Sequence, residues 1–321
     1  MKRPGHFFLA VLLFGALLLT GIWVWASRVP DPVYEGRPLS QWLLPVNMNS
    51  FISLAEIQRL IQQQERMKQA VHTVGTNSIP LLLSMLAAHD SPAQRRLHHW
   101  LIRHPRWRIH PVEDFQRNAG ALDGFLVLGS AARTAVPAML ERYEQAPARS
   151  ILRQTLPAAF GQIGPAAAAA APALARAVTN APTAVGKLNA IFALAKIRAS
   201  LDLTVANLTL ALADPDPEVR IAAAGALGEI GPSANAALPA LHQLRDTERV
   251  GMWPPYSLHY YLPPSDASAK IWPVGPVSSR RAANEAIRQI SGHPSGDPAE
   301  PELDTPLRQW VTPDTFPLPS R

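Results

Sequence analysis

The amino-acid sequence predicts an all-α protein, an α-solenoid of helix pairs that follows a single N-terminal transmembrane helix. Three observations lead to this prediction. A short motif recurs about every 33 to 35 residues, the 321 residues include 50 alanines beside 32 prolines, and one segment of 20 residues near the N-terminus carries no charge. Alanine is the best helix former, whereas proline is tolerated at helix starts and in linkers. The two residue types are therefore compatible if the prolines separate the helices.

The N-terminal segment has the length and polarity of a membrane anchor. Residues 7–26 contain no charged side chain and would span about 30 Å as a helix, the thickness of the hydrocarbon core of a bilayer. Lys2 and Arg3 precede this segment, so the positive-inside rule places the N-terminus in the cytoplasm and the remaining chain outside it. We therefore expect an anchor or signal at 1–29 and a single-pass membrane protein. The alternative is a signal peptide cleaved after Ala26, which would give an exported soluble protein.

The composition excludes several kinds of active site. The chain has no cysteine, which rules out a disulfide scaffold, a cysteine nucleophile and a thiolate metal site. The motifs of P-loop enzymes, of serine hydrolases and of zinc proteases do not occur. We therefore predict a protein with no catalytic residues, no metal and no cofactor. The net charge of +6 indicates a general affinity for anionic surfaces.

Glycines and prolines mark a repeat that consists of two helices. The pair Gly164-Pro165 recurs 67 residues later as Gly231-Pro232, and residues 194–198 fit between them at spacings of 34 and 33. A period of this length is typical of an α-solenoid. Glycines end the first helices and prolines open the second helices at the predicted structural positions: Gly129, Gly164, Gly231, Pro137, Pro172 and Pro239.

The clearest repeat unit covers residues 214–245. Asp216 predicts the N-cap of its first helix, and Pro217 fits the first helical position, where a missing N–H costs nothing. Apolar residues then recur at i, i+3, i+4, i+7, i+8 and i+11 and predict one buried stripe: Val219, Ala222, Ala223, Ala226, Leu227 and Ile230. The pattern therefore predicts an amphipathic helix that packs on its neighbours in the stack.

Other glycines and their replacements refine the predicted helix ends. We interpret Gly161 and Gly228 as repeat terminators, like Gly164 and Gly231. In the middle repeat Arg198 stands in the place of glycine, and a side chain disfavours the left-handed conformation of a glycine cap. The sequence therefore predicts an irregular helix end there.

The regions that flank the clear repeats complete the domain plan. Residues 30–52 are expected to form a linker and an N-terminal cap segment, in which Trp42 and Leu43 pack on the first repeat. A capping box at Ser53 and Glu56 opens the solenoid. The solenoid then extends over residues 53–292, with an insertion rich in proline and aromatic residues at 247–278. Residues 293–321 contain seven prolines, which predicts a disordered tail.

The repeat motif resembles a known family. Asp-Pro-x-x-x-Val-Arg-x-x-Ala at 214–223 and Leu-Gly-x-Ile-Gly-Pro-x-Ala at 227–234 resemble HEAT repeats of the short, PBS-lyase HEAT-like type. The segment 34–43 is similar to the start of bacterial membrane-anchored HEAT-repeat proteins. The resemblance implies a non-catalytic scaffold that binds another protein on the extracytoplasmic, periplasmic side of a bacterial membrane. It also implies that the second helices line the concave side, where the partner-binding candidates are Arg142, Tyr143, Arg176, His242 and Arg245.

The insertion supplies the other candidates for partner contact. Aromatic residues dominate the energetics of protein interfaces, and insertions in repeat proteins project from one face. The candidates are Trp253, Tyr256, Tyr260, Tyr261 and Trp272. The alternative is a loop that folds back over the last repeat.

A cation recurs at the same place in the first helix of four repeats: Arg153, Lys187, Arg220 and Arg280. These side chains would form either a ladder for an acidic ligand or ion pairs between repeats. We favour the structural interpretation, because Asp214, Asp216 and Asp246 lie at the repeat junctions.

Alternative functions depend on the basic segment 89–117 and on the family resemblance. The segment interleaves histidines and arginines with Trp100 and Trp107, which is compatible with binding of an anionic ligand, an anionic lipid or nucleic acid. Placement outside the cytoplasm argues against nucleic acid. HEAT-type lyases and other accessory enzymes share the repeat, but the iron-binding hydroxylases of this build need His-Glu pairs, and no such pair occurs in the sequence.

Overall fold

The computed structural model describes residues 29–44, 54–104, 111–247 and 279–292, and these residues are almost entirely helical. The sheet within this part is a two-stranded antiparallel hairpin of β1 (Val33–Tyr34) and β2 (Arg37–Pro38). The all-α prediction is confirmed for the described residues. The predicted anchor at 7–26, most of the insertion and the predicted tail lie outside them. The chain divides into two compact units, Met1–Leu128 and Gly129–Arg321.

The first unit is built around its last helix. Its helices are α1 (Leu39–Leu43), α2 (Leu54–Val74), α3 (Ile79–Leu86), α4 (Pro92–Ile102) and α5 (Asp114–Leu128), with a 3₁₀ turn at Gly75–Ser78. Helix α5 packs against α1, α2 and α3. Trp42 and Leu43 of α1 are 8% and 2% exposed, so both side chains are buried. A Cβ on Gly120 would lie 2.3 Å from the carbonyl oxygen of Leu43, so only glycine allows α5 to approach α1 this closely.

The second unit repeats one helix pair. Its helices are α6 (Val136–Gln145), α7 (Ile151–Ile163), α8 (Ala171–Asn180), α9 (Ala184–Ile197), α10 (Leu201–Ala211), α11 (Pro217–Ile230), α12 (Leu238–Thr247) and α13 (Ser279–Ser291). Each of the 3₁₀ segments Gly129–Ala135, Gly164–Ala170 and Gly231–Ala237 leads into the helix that follows it. The first helices of the pairs stack in chain order, α7 on α9, α9 on α11 and α11 on α13, and α8 packs beside α10. This arrangement is consistent with an α-solenoid.

Small residues set the distance between the stacked helices. Ala190, Ala193 and Ala223 are fully buried, and their short side chains let the helix backbones approach. A Cβ on Gly161 would lie 2.8 Å from the ring of Phe192. A Cβ on Gly228 would lie 3.1 Å from Cα of Ala286, and both glycines lie inside helices. Their interpretation as repeat terminators is wrong, because their role is close packing between helices.

The helix ends follow the predicted chemistry closely. Gly129, Gly164 and Gly231 have φ angles of 50°, 73° and 72°, a conformation that glycine adopts without steric cost. Pro137, Pro172 and Pro239 are the second residues of α6, α8 and α12. At the start of α11, the Asp216 carboxylate accepts a hydrogen bond from the N–H of Glu218 at 2.9 Å. These glycines and prolines therefore mark the ends and the starts of the helices.

Helix α9 ends regularly, although a glycine is missing there. Arg198 adopts the left-handed conformation with φ of 51°, so the predicted irregular end is wrong. Its guanidinium donates to the carbonyl oxygen of Glu229 at 3.0 Å. This bond to the next repeat offsets the steric cost of a side chain in that conformation.

One stretch within the described residues is long and apolar enough to cross a membrane. It is Ile151–Asn180, and 67% of its most apolar 18-residue window is buried inside the protein. The stretch consists of α7, the 3₁₀ segment that follows it, and α8. This burial is what the core of a helical repeat produces.

Candidate functional site

The predicted groove residues on the second helices differ in exposure. Arg142 and Arg176 are exposed, and His242 and Arg245 are half-buried. Tyr143 is only 1% exposed, which corrects its prediction as a partner contact. Its ring lies under the guanidinium of Arg153, 4.0 Å away, and edge-on to Phe160. Tyr143 is therefore part of the core, although it occupies a position on a second helix.

The aromatic candidates of the insertion lie outside the described residues: Trp253, Tyr256, Tyr260, Tyr261 and Trp272.

The recurring cations of the first helices contact the junctions between repeats. The ammonium of Lys187 lies 2.5 Å from the carboxylate of Asp214. The guanidinium of Arg220 donates to the carbonyl oxygens of Asp214 at 2.7 Å and of Pro215 at 3.0 Å. Arg153 donates to the carbonyl oxygen of Tyr143. Lys187 thus forms the predicted ion pair with Asp214, and Arg153 and Arg220 donate to backbone carbonyl oxygens at the end of a second helix or in the junction after it.

Asp214 makes more than one contact at its junction. Its side chain is 7% exposed and accepts a further bond from the N–H of Asp216 at 3.0 Å. At the last junction, the hydrogen bond from Arg245 lowers the pKa of Asp246, and the charge of Arg280 lowers it further. Asp214 thus ties α9 to α11, and Arg280 lies close enough to Asp246 for their charges to interact.

A cavity of about 240 Å³ opens beside Arg153, and residues of α6, α7, α8 and the start of α9 line it. Charged, polar and small side chains line it, among them Tyr143, Arg153, Arg176, Asn180, Ala181 and Thr183. Thr183 also caps α9, since its hydroxyl accepts a bond from the N–H of Gly186 at 3.2 Å. We call this cavity the arginine pocket.

Two guanidinium groups dominate the electrostatics of the arginine pocket. Burial raises the pKa of the Tyr143 hydroxyl, and the charges of Arg153 and Arg176 oppose this rise. Both arginines line the pocket together with Tyr143. Arg176 also lies 3.5 Å from the carboxylate of Glu144, and both side chains are more than half exposed. The arrangement favours binding of a negative group.

Sequence reasoning missed the arginine pocket. In the sequence, the pocket corresponds to Ala181, which stands where the next repeat has Asp214. This difference is found only when the two junctions are aligned. That alignment depends on the N-caps, Thr183 and Asp216, which the structure defines.

The basic segment 89–117 is partly structural. Asp90 is 1% exposed and pairs with the guanidinium of Arg117. Asp90 and Asp114 also exchange hydrogen bonds: each carboxylate accepts the backbone N–H of the other residue, at 2.8 and 3.1 Å. His98 Nδ1 lies 3.6 Å from the Asp90 carboxylate. These contacts fix the start of α5 against the start of α4.

Helix α4 leaves an apolar and basic surface exposed. None of its side chains is buried, and Leu97, Trp100 and Ile102 are 53%, 46% and 57% exposed. The arginines Arg95 and Arg96 lie on the same helix and are exposed as well. We call this the α4 surface.

Within the part of the chain that the structure describes, no three His, Cys, Asp or Glu side chains form a group that would hold a metal ion.

Comparison with known proteins identifies the repeat. Residues 171–251 match a family model described as HEAT repeats, and this match covers α8 to α12, the part with the clearest sequence period. No match was found among curated proteins or among solved structures. HEAT repeats are commonly protein-interaction scaffolds. The stacked helix pairs and the family match together support a HEAT-repeat protein.

Proposed function

We propose that the chain is a non-catalytic scaffold that binds another protein through its helical repeats. The observation that carries this proposal is the match to HEAT repeats over 171–251, on a segment folded as stacked helix pairs. A stack of this kind offers an extended surface made of successive second helices. Those helices carry Arg142 and Arg176, which are exposed. Together with a net charge of +6, they favour an acidic partner.

We further propose that the repeats lie outside the cytoplasm, on a bacterial membrane. The support is the sequence alone: the uncharged segment 7–26 and the basic residues Lys2 and Arg3 before it. A topology reporter fused after Arg321 tests this placement. A reporter that is active only in the cytoplasm would contradict it. An N-terminus that begins at Ser27 in the mature protein would indicate cleavage after Ala26 instead of an anchor.

Site-specific photo-cross-linking in native membranes tests the scaffold. The cross-linking residue replaces Arg142 in α6 or Gln243 in α12, both exposed on second helices. Asn235, exposed in a 3₁₀ segment, is the matched control. We expect one discrete adduct that is shared by the two helix positions and absent at Asn235. The partner is then purified, and its dissociation constant is measured with the full chain. The same adducts at all three positions, or a purified partner without measurable affinity, would contradict the proposal.

The α4 surface favours a second candidate function, contact with an anionic membrane. Exposed tryptophan and aliphatic side chains beside arginines are typical of helices that lie in a membrane interface. Leu97 and Trp100 would enter the headgroup region, and Arg95 and Arg96 would bind lipid phosphates. Helix α4 has no buried side chain. Contact with a membrane would therefore not disturb packing of α4 against the rest of the protein.

Hydrogen exchange of the full chain in nanodiscs tests the membrane contact. We expect slower exchange of α4 amides in phosphatidylglycerol than in phosphatidylcholine nanodiscs. Replacing Leu97 and Trp100 together by Ser should abolish this difference. Ile151→Ser is the matched control, because Ile151 is equally exposed, at 60%, and belongs to the second unit. Equal exchange in both lipids would refute the contact. Protection by duplex DNA but not by lipid would assign the surface to nucleic acid.

A further inference from the structure

The arginine pocket lies where one repeat lacks an acid that the next repeat has. Thr183 and Asp216 cap equivalent helices, 33 residues apart. Two residues before these caps, the chain has Ala181 in one repeat and Asp214 in the other. Asp214 is 2.5 Å from Lys187 of the preceding first helix. At the equivalent junction Ala181 has only a methyl group to offer, and a cavity of about 240 Å³ remains there.

The cation of that junction is present although its acid is missing. Arg153 lies in the first turn of the preceding first helix, 34 residues before Lys187, and it lines the pocket. Its guanidinium donates a hydrogen bond to the carbonyl oxygen of Tyr143, and a guanidinium has five N–H donors. Its face rests on the Tyr143 ring, which fixes the direction of the remaining donors. The pocket therefore contains an oriented guanidinium but no carboxylate from its own junction.

A second guanidinium and an amide complete the site. Arg176 lines the pocket from α8, and its contact with Glu144 is 3.5 Å long with both side chains more than half exposed. A surface pair of this kind contributes only about 0 to 1 kcal/mol, so a better-placed carboxylate would displace it. Asn180 adds a side-chain amide at the same rim.

The volume and the charge define the class of ligand. Sites for drug-sized molecules have volumes of about 300 to 1,000 Å³ and mostly apolar walls, whereas this pocket has about 240 Å³ and two arginines. Arginine pairs with carboxylate through two parallel hydrogen bonds. We infer that the arginine pocket binds a single carboxylate group of the partner protein, from a Glu or Asp side chain or from a C-terminus. This inference rests on the proposed scaffold function, since it names the chemistry that the partner presents.

Peptide binding to the full chain tests the pocket directly. The probes are four short peptides: one with an internal Glu and blocked ends, its Gln analogue, one of Ala with a free C-terminal carboxylate, and the same peptide as an amide. Binding is followed by the Nε–H signals of chain labelled with ¹⁵N-arginine, with Arg153 and Arg176 assigned from Arg→Lys variants. We expect both signals to move with the Glu peptide, the C-terminal acid or both, and with neither neutral analogue. Equal shifts with the Gln peptide and the amide would overturn the inference.

Ala181→Asp is the decisive variant, because it supplies the missing acid. Its carboxylate should pair with Arg153 as Asp214 pairs with Lys187, and it should weaken peptide binding more than tenfold by like-charge repulsion. Wild-type affinity in this variant would overturn the inference. Should Ala181→Asp fail to fold, Arg176→Ala decides, with a loss of about fivefold, the upper value for an exposed pair. Arg133→Ala, at an exposed arginine elsewhere in the unit, should bind as the wild type does.

The two proposals fail in different ways. A purified partner that binds wild type and Ala181→Asp equally well would remove the arginine pocket and leave the scaffold intact. Carboxylate peptides that bind the pocket while no partner binds the repeats would remove the scaffold and leave the pocket as a carboxylate site.

Discussion

Both units of the chain use a buried aspartate to join helices, but the surroundings of the two aspartates differ. In the first unit Asp90 joins the starts of α4 and α5 through Arg117 and the backbone of Asp114. In the second unit Asp214 joins α9 and α11 through Lys187. Helices α9 and α11 also bury many side chains, whereas α4 buries none. The aspartate contact is therefore one of many contacts that hold α9 and α11 in the regular repeat. For α4, which lies outside the regular repeat, it is the main attachment.

The largest expected effect follows from removing the first-unit aspartate. Asp90→Ala leaves Arg117 without its buried partner and the N–H of Asp114 without its acceptor. Hydrogen bonds to charged groups are worth about 1.5 to 3 kcal/mol each, and this variant removes two of them, from Arg117 and from the N–H of Asp114. We expect the free energy of opening, measured by hydrogen exchange of the amides of α4 and of the start of α5, to fall by about that amount. Exchange in the second unit should be unchanged. Wild-type protection of α4 in this variant would show that other contacts hold the helix.

The charge of Asp90 also predicts a dependence on pH. Burial alone would raise the pKa of Asp90, but the N–H of Asp114 and the charge of Arg117 outweigh it and lower the pKa below its usual value. A lowered pKa contributes stability that is fully present above the unfolded value of about 4 and is lost as the pH falls through the folded value. The difference between wild type and Asp90→Asn in α4 protection should therefore shrink below about pH 4. A difference that is constant from pH 7 to pH 3 would contradict this.

A matched change in the second unit should have a smaller effect. Asp214→Ala removes the partner of Lys187, whose side chain is 17% exposed, and the acceptor for the N–H of Asp216. Hydrogen bonds to charged groups are worth about 1.5 to 3 kcal/mol. We expect a loss near the lower value, because the packing of α9 on α11 remains. Hydrogen exchange that shows α9 and α11 detached, as α4 is in Asp90→Ala, would remove the distinction between the two units.

Each unit has a glycine at which two helices pack closely, Gly120 in the first and Gly228 in the second. Gly120→Ala places a Cβ 2.3 Å from a backbone oxygen, that of Leu43, which cannot move aside as a side chain does. At Gly228 the closest atom is the end of the flexible Gln289 side chain, 2.3 Å away. Overpacking costs about 1 to 3 kcal/mol, against a gain of about 1 kcal/mol in helix propensity. A Cβ on Gly228 would also meet the Cα of Ala286, but at 3.1 Å. In exchange or thermal unfolding measurements we expect Gly120→Ala to lose about 1 to 2 kcal/mol and Gly228→Ala to lose less. The reverse order would indicate that α1 shifts more easily than α13.

The sequence predicted those features of the second unit that depend on local chemistry and period. Prolines open α6, α8 and α12 because the missing N–H has no partner at a helix start, and Asp216 caps α11 for the complementary reason. The recurring cations could be assigned to the junctions because acids recur beside them. Each of these inferences needs only the residues within one repeat and its neighbour.

The features that the sequence did not predict depend on distances across the fold. Gly161 has the residue type of a helix end, and only its distance of 2.8 Å to Phe192 shows that it serves close packing. Tyr143 has the type of a contact residue, but Arg153 and Phe160 enclose it. The pairing of Asp90 with Arg117 has no counterpart at a period of 33 to 35 residues. The arginine pocket was missed because it results from a carboxylate that is absent at Ala181, and an absent side chain produces no sequence motif.

The smallest expected effect concerns the helix end at Arg198, where the repeat departs from its own rule. A side chain in the left-handed conformation costs about 1 to 2 kcal/mol, and the bond from Arg198 to the carbonyl oxygen of Glu229 returns about 0.5 to 1.5 kcal/mol. Arg198→Gly removes both terms and should change the stability of α9 by less than about 1 kcal/mol, since glycine also gains entropy in the unfolded chain. Arg198→Ala keeps the steric cost and loses the bond, so it should be less stable than Arg198→Gly by about 1 kcal/mol. Exchange rates of the last turn of α9 in the two variants measure this difference. Equal rates would show that the backbone at residue 198 relaxes out of the left-handed conformation when the bond to Glu229 is lost.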